Sequence, residues 1–337
     1  MSGLLGLHHV ALVSRDLART ADFYGRLVGL RDLGVAPAPL ADPERPGALA
    51  EADARWFGDG GGRAGSLLAV VERRDAPAGH PGVGGTHHLA LAVTDRDALL
   101  QWKRRFLDAG VPVTGILDRH YFQSIYVKDP DGTIVELATL GPGWTVDEPP
   151  DAIGAEHRAP PDDMVVGNRD RARIEAERWP DAVPEITDAL RIRGLHHVTA
   201  IGADIERTHA FVAGRLGMRR VKRTSNFDDP TSFHWYWGVG GGAPGTLVTY
   251  FDRDPAREPR VRMGAGQVAH YAVAAAPDTL APLADALRAA GLPTSAPAAF
   301  GPDGARFDAV AAADPDGQPV IVATATGATS YDAQETR

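Results

Sequence analysis

The sequence predicts an α+β protein built from four strand–helix–three-strand (βαβββ) modules. Two observations carry this reading. A short apolar run, opening on a histidine pair or its remnant and followed by an amphipathic stretch, recurs four times in the 337 residues. The turn Asp-Pro-Asp-Gly recurs between strand-like runs, at Asp129 to Gly132 and again at Asp314 to Gly317.

The first module, residues 6–75, opens "GLHHVALVSRDLARTADFYGRLVGL" from Gly6. The second, 85–140, opens "GTHHLALAVTDRDALLQWKRRFLDAG" from Gly85; Leu99, Leu100, Phe106 and Ala109 fall near one face of its helix, and Gly110 closes it. The third, 194–253, opens "GLHHVTAIGADIERTHAFVAGRLGM", and the fourth, 267–327, opens "QVAHYAVAAAPDTLAPLADALRAAGL". Two halves, 1–140 and 191–330, thus each hold two modules, with a Pro-rich, charged linker at 141–190 in which "NRDRARIEAERW" is long enough for one or two helical turns. Residues 32–61 read either as a pocket loop or as surface.

Composition limits the partner. A net charge of -9 argues against nucleic acid and anionic membranes, which need a basic face. No run reaches the roughly 18 apolar residues of a membrane span. Cysteine is absent, excluding disulfides and thiolate chemistry and fitting a reducing compartment. These features lead us to expect a cytoplasmic protein with a small-molecule partner.

Strand periodicity then sorts the histidines. Neighbouring strand residues face opposite ways, so only one imidazole of each pair is expected in a cavity. In "HHLALAV", bulky Leu89, Leu91 and Val93 share the phase of His87, whereas His88 shares that of Ala90 and Ala92. The same phase selects His9, His197 and His270. Glu136 lies mid-strand in the apolar run "TIVELATL", where a carboxylate is costly unless it is ion-paired or bound to a cation. The like positions in the other modules hold Ala69, Thr249 and Ile321. At most one complete metal site is therefore expected.

These residues resemble the vicinal oxygen chelate superfamily of glyoxalases, bleomycin- and fosfomycin-resistance proteins and extradiol dioxygenases. Within it, "GLHHVTAIGADIERTHAFVAGRLGM…FHWYWGVGGGAPGTLVTYF" is similar to the first module of hydroquinone-type ring-cleaving dioxygenases, and "THHLALAV…DRHYFQSIYVKDPDGTIVELATLG" to their last. Here those modules stand third and second. The resemblance implies that the modules pair into two curved-sheet, half-barrel units, with metal ligands His88, Glu136 and His197, modules two and three paired across the linker and modules one and four paired with each other. It further implies Fe(II), with Mn(II) as the alternative, O2 as co-substrate and a catechol- or hydroquinone-like aromatic substrate; a homo-oligomer is a possible assembly.

Around that centre, Tyr126 is either an acid or hydrogen-bond donor or a core aromatic. Arg119 is either a phenolate-binding group or a surface charge. His234 and Thr199 are expected to contact substrate, and His87 and His196, on the opposite face, to support the site's geometry. Two other readings remain open: a Zn-, Ni- or Mn-dependent isomerase, lyase or glutathione-type transferase, and a metal-free drug-binding protein.

Overall fold

A computed structural model describes residues 3–41, 48–302 and 306–325. The ends of the fourth module (267–327) and of the second half (191–330) pass beyond Ala325, outside the described residues.

Each module has the expected order. Module one is β1 (Leu4–Ser14), α1 (Leu17–Ala21, continued by a π-helical turn over Asp22–Leu27), β2 (Arg31–Ala41), β3 (Leu49–Gly58) and β4 (Leu67–Glu72). Module two is β5 (Gly85–Val93), α2 (Arg96–Asp108), β6 (Leu117–Asp118), β7 (Gln123–Lys128) and β8 (Ile134–Thr139). The linker contributes α3 (Arg171–Ala176), inside the stretch expected to be helical. Module three is β9 (Leu195–Gly202), α4 (Ile205–Val212), β10 (Arg219–Asn226), β11 (Asp229–Gly238) and β12 (Leu247–Asp252). Module four is β13 (Val268–Ala275), α5 (Leu280–Ala289), β14 (Ala298–Phe300), β15 (Phe307–Ala313) and β16 (Pro319–Thr324).

Two eight-stranded sheets result, ordered β14-β15-β16-β13-β1-β4-β3-β2 and β10-β11-β12-β9-β5-β8-β7-β6. Each takes one module from either half of the sequence, four with one and three with two, joined through the antiparallel pairs β1/β13 and β5/β9. The first sheet curls almost shut, its far edges meeting where Gly301 N donates to Pro37 O at 2.9 Å. The described parts of 32–61 are therefore mostly the hairpin strands β2 and β3 of this sheet. The second sheet remains a half-barrel.

Alternation explains the layers. Leu89, Leu91 and Val93 pack with Leu99, Trp102 and Phe106 of α2 in a large core shared by all four modules. Each large side chain fully buried there contributes roughly 1.5–3 kcal/mol. Ala109, expected on the buried face of α2, is exposed, because the helix ends at Asp108 and its apolar stripe is completed by Trp102 instead. The Asp-Pro-Asp-Gly turns tie the sheets together. Asp129 accepts from Tyr24 OH (3.2 Å) and Asp131 from Ser14 Oγ (2.6 Å), while Asp314 accepts from Tyr250 OH (3.0 Å) and Asp316 from Ala203 N (2.8 Å).

The linker is more than a tether. Lys103 of α2 donates to the carbonyls of Ile174 (3.2 Å), Glu175 (3.1 Å) and Glu177. A Cβ on Gly115 would meet Ile174 Cγ2 at 2.2 Å and its carbonyl oxygen at 2.5 Å, so α3 is seated directly on module two. Buried Lys222 holds Asp147 (2.6 Å) and Glu148 (2.7 Å) of the linker against module three.

Candidate metal centre

The four modules share one local irregularity that strict alternation does not anticipate. Sheet register skips His8 on β1, His87 on β5, His196 on β9 and Ala269 on β13, so a β-bulge precedes each cavity histidine. The bulge turns the first imidazole beside the second, with Nδ1–Nδ1 distances of 2.9 Å for His8/His9, 2.7 Å for His87/His88 and 2.8 Å for His196/His197. The expectation that His87 and His196 lie on the opposite face is thus corrected: an extra, unpaired residue resets the side-chain phase.

The consequence is a fixed tautomer. His196 is neutral, burial pushing its pKa down to about 3, and its Nε2–H donates to Thr139 O at 3.0 Å. Its Nδ1 must then accept, so His197 carries a proton on Nδ1 and turns Nε2 to the concave face, where that nitrogen can take a metal ion or, without one, a proton.

That Nε2 meets the other candidate ligands. His197 Nε2 lies 3.2 Å and His88 Nε2 2.8 Å from Glu136 Oε2, and the two nitrogens are 3.3 Å apart. All three residues are buried, and among the described residues they form the one cluster of at least three His, Cys, Asp or Glu side chains with ligand atoms close enough to hold a metal ion. Bonds of about 2.1 Å to a common ion place adjacent octahedral ligands about 3 Å apart, which matches these separations. Burial raises the pKa of Glu136, but His197 and His88 outweigh it and hold the group well below the carboxylate range. Ser124 Oγ donates to its second oxygen, Oε1. An anionic oxygen facing an unprotonated imidazole nitrogen repels it unless a cation lies between, so the donor set fits a divalent metal.

Register places the four equivalent positions unambiguously. Ala90 pairs with Glu136, Ala11 with Ala69, Thr199 with Thr249 and Ala272 with Ile321, each two residues beyond the cavity histidine. In the nearly closed sheet, His9 Nε2 contacts His270 Nε2 at 2.9 Å with no carboxylate beside them among the described residues, and Trp56, Phe307 and Ile321 fill the interior. His270 Nδ1 has no hydrogen-bond partner, since Ala269 stands where the other modules place the supporting histidine.

Around the triad is a small chamber with about 10 Å³ of free space, room for about one water-sized ligand. Arg119, Tyr126 and His234 line it, whereas Thr199 does not. Arg119 Nη2 donates to Tyr126 OH (3.3 Å) and to Asp228 (2.8 Å), whose other oxygen is held by Arg169 of the linker at 2.6 Å. Burial raises the Tyr126 pKa, keeping the phenol protonated. Burial, with His197 and His88, pushes His234 well below its ordinary value. Tyr121 donates to Tyr236 OH (3.3 Å), Tyr236 to His234 Nδ1 (2.9 Å), His234 Nε2–H to Thr249 (2.9 Å), and Thr249 to Thr199 (2.7 Å). Thr199 therefore reaches the chamber only through Thr249 and His234.

Sequence reasoning missed Ser124, Tyr236, Asp228 and Arg169. Ser124 shares the phase of Tyr126 on β7 and was findable by that rule. Asp228 and Arg169 lie in a turn and the linker, where no periodicity applies.

Paired βαβββ modules around a His–Glu–His cluster define a metal-centre scaffold of the vicinal oxygen chelate type. The chain belongs to the Glyoxalase/Bleomycin resistance protein/Dioxygenase superfamily, whose family model matches residues 6–137 and 194–322. Over 121 residues it is 38% identical to "Putative ring-cleaving dioxygenase MhqA" of Bacillus subtilis, covering 36% of this chain and 37% of that protein. Over 110 residues it is 37% identical to the chlorohydroquinone/hydroquinone 1,2-dioxygenase of Sphingobium indicum, covering 31% and 33% of the two chains. It thus spans about a third of the length of these curated relatives. The crystal structure titled "putative dioxygenase from Bacillus subtilis" superposes with a TM-score of 0.69 over 98% of this chain and 89% of that one at 18% identity. Glyoxalase I of Zea mays does so with a TM-score of 0.56 over 98% and 94% at 15% identity, a likeness of fold. Among the described residues no helix is long and apolar enough to cross a membrane.

Proposed function

We propose that the protein is an Fe(II)-dependent extradiol-type dioxygenase that opens a hydroquinone- or catechol-like ring with O2, its metal held by His88, Glu136 and His197. The observation that carries this reading is the three-ligand cluster with Thr249 at the register position where a second carboxylate would complete a glyoxalase-type site. Three protein ligands on one face leave room for both substrate and oxygen. The bound metal supplies electron transfer between ring and O2.

The remaining chemistry belongs to the chain. The chamber is too small for an aromatic ring but suits a diatomic molecule, so the ring enters from the side walled by His88, Tyr126, Arg119 and Phe251. Arg119 steadies the substrate's ring oxygen as it loses its proton, and the protonated Tyr126 hydroxyl donates a hydrogen bond to it. His234, kept neutral by burial and fixed by Tyr236 at Nδ1 and Thr249 at Nε2, orients the reactants beside the chamber, and the released proton passes to solvent on the side where the ring enters. Thr199 holds Thr249, and through it His234, in place; His87 and His196 orient the two histidine ligands.

The test is anaerobic loading with Fe(II) followed by O2 uptake with hydroquinones and catechols. One O2 consumed per substrate, with loss of aromatic absorbance, supports the reading. Turnover of a thioester- or thioadduct-forming substrate that proceeds equally without O2 contradicts it.

A further inference from the structure

Outside the chamber lies a second cavity of about 790 Å³, and His88, Arg119, Tyr126 and Phe251 form part of both walls. A cavity of roughly 150 Å³ suffices to hold a benzene ring, so the outer groove has room for several times a bare dihydroxybenzene. Its walls are mainly apolar. Val113, Leu117 and Ile134 of module two face Val166 and Ile174 of the linker, and all five are half-buried rather than packed away. Such a concentration of partly exposed aliphatic side chains beside a reactive centre marks a ligand surface.

The groove is built rather than incidental. Its linker wall is fixed by the seat of Ile174 on Gly115, the Lys103 contacts to α3 and the Arg96–Glu177 ion pair at 2.6 Å. At the neck, Asp228 bridges Arg119 and Arg169, so this carboxylate is not left unpaired and the trio keeps one net positive charge on the side of the ring's hydroxyl end.

We infer that the groove is a subsite for an apolar substituent, alkyl or aryl, on the dihydroxylated ring, with Val166 and Ile174 of the linker as specificity-determining residues. This rests on the reading of the preceding section. The ring's hydroxyl end lies toward His88 and Tyr126, and its substituent extends between module two and α3. The linker thereby becomes part of the substrate site.

Calorimetry without oxygen on the full chain, with and without added Fe(II), tests this by comparing hydroquinone with hexylhydroquinone. Hexylhydroquinone should bind at least about tenfold more tightly, the gain expected from burying about two methylenes. Ile174→Asp, and Val113→Asp on the opposite wall should the first variant fold poorly, should abolish that gain while changing hydroquinone binding less than about twofold. Equal affinity for the two ligands in the wild type, or equal losses for both in the variants, overturns the subsite. Hydroquinone-dependent O2 uptake that persists in that case leaves the dioxygenase reading standing; absence of both binding and uptake removes both.

Discussion

His196 donates to the Thr139 carbonyl and accepts from His197, so the backbone of β8 sets which nitrogen of His197 faces Glu136. The strand that carries the carboxylate also sets the tautomer of a histidine on a different module. His196→Ala should therefore weaken metal binding by about 10- to 100-fold without unfolding the protein. His196→Asn, which keeps an acceptor, should recover part of the loss. Anaerobic Fe(II) titration of the two variants checks this, and equal affinity in both would count against the tautomer argument.

Tyr126 hydrogen-bonds Arg119 and sets its ring edge-on to His88 at a centroid distance of 5.7 Å. Tyr126→Phe should lower kcat/KM for ring cleavage by about 10²-fold, the usual scale of a lost proton-handling group, with metal stoichiometry unchanged. Parallel O2-uptake and metal assays separate this from simple loss of the ion.

Asp228 is the shared counter-ion of two arginines whose side chains are only 10% and 7% exposed. Asp228→Asn leaves both cations without compensation at the groove neck. A loss of about 2 kcal/mol in urea unfolding is expected, below the full cost of breaking a buried pair because Asp228 itself is partly exposed.

How far the sequence determined these features differs by feature. Module number and the cavity-facing histidine of each module follow from the repeats and from period-two phasing, and the limit of one complete site from a carboxylate present in one module of four; sheet pairing and the convergence of His88, Glu136 and His197 were legible only through the resemblance to a known family. The bulges were not legible, because one inserted unpaired residue leaves the hydrophobic pattern on either side intact. The linker's place in the groove was hidden for another reason: Val166, Arg169 and Ile174 dock through tertiary contacts with Gly115, Lys103 and Asp228, and nothing local in their sequence encodes those partners.

The Asp-Pro-Asp-Gly turn of module four carries a pH dependence. Burial pushes Asp314 from its ordinary 3.8 up to about 6. The native state therefore binds this proton more tightly than the unfolded chain, and the stability it confers is complete below about pH 4 and is lost as pH rises through 6. Asp314→Asn should remove that trend. Relative to wild type, the variant should gain about 2 kcal/mol between pH 4 and pH 7, measurable by urea unfolding at the two values.

Of the two equivalent sites, one keeps a His–Glu–His ligand set and the other is filled with apolar side chains. Anaerobic Fe(II) titration of wild type, Glu136→Gln and the double variant His9→Ala/His270→Ala tests this difference most directly. One ion per chain in the wild type and in the double variant, and none in Glu136→Gln, is the predicted result. Two ions per wild-type chain, or one retained in Glu136→Gln with undiminished affinity, would contradict it.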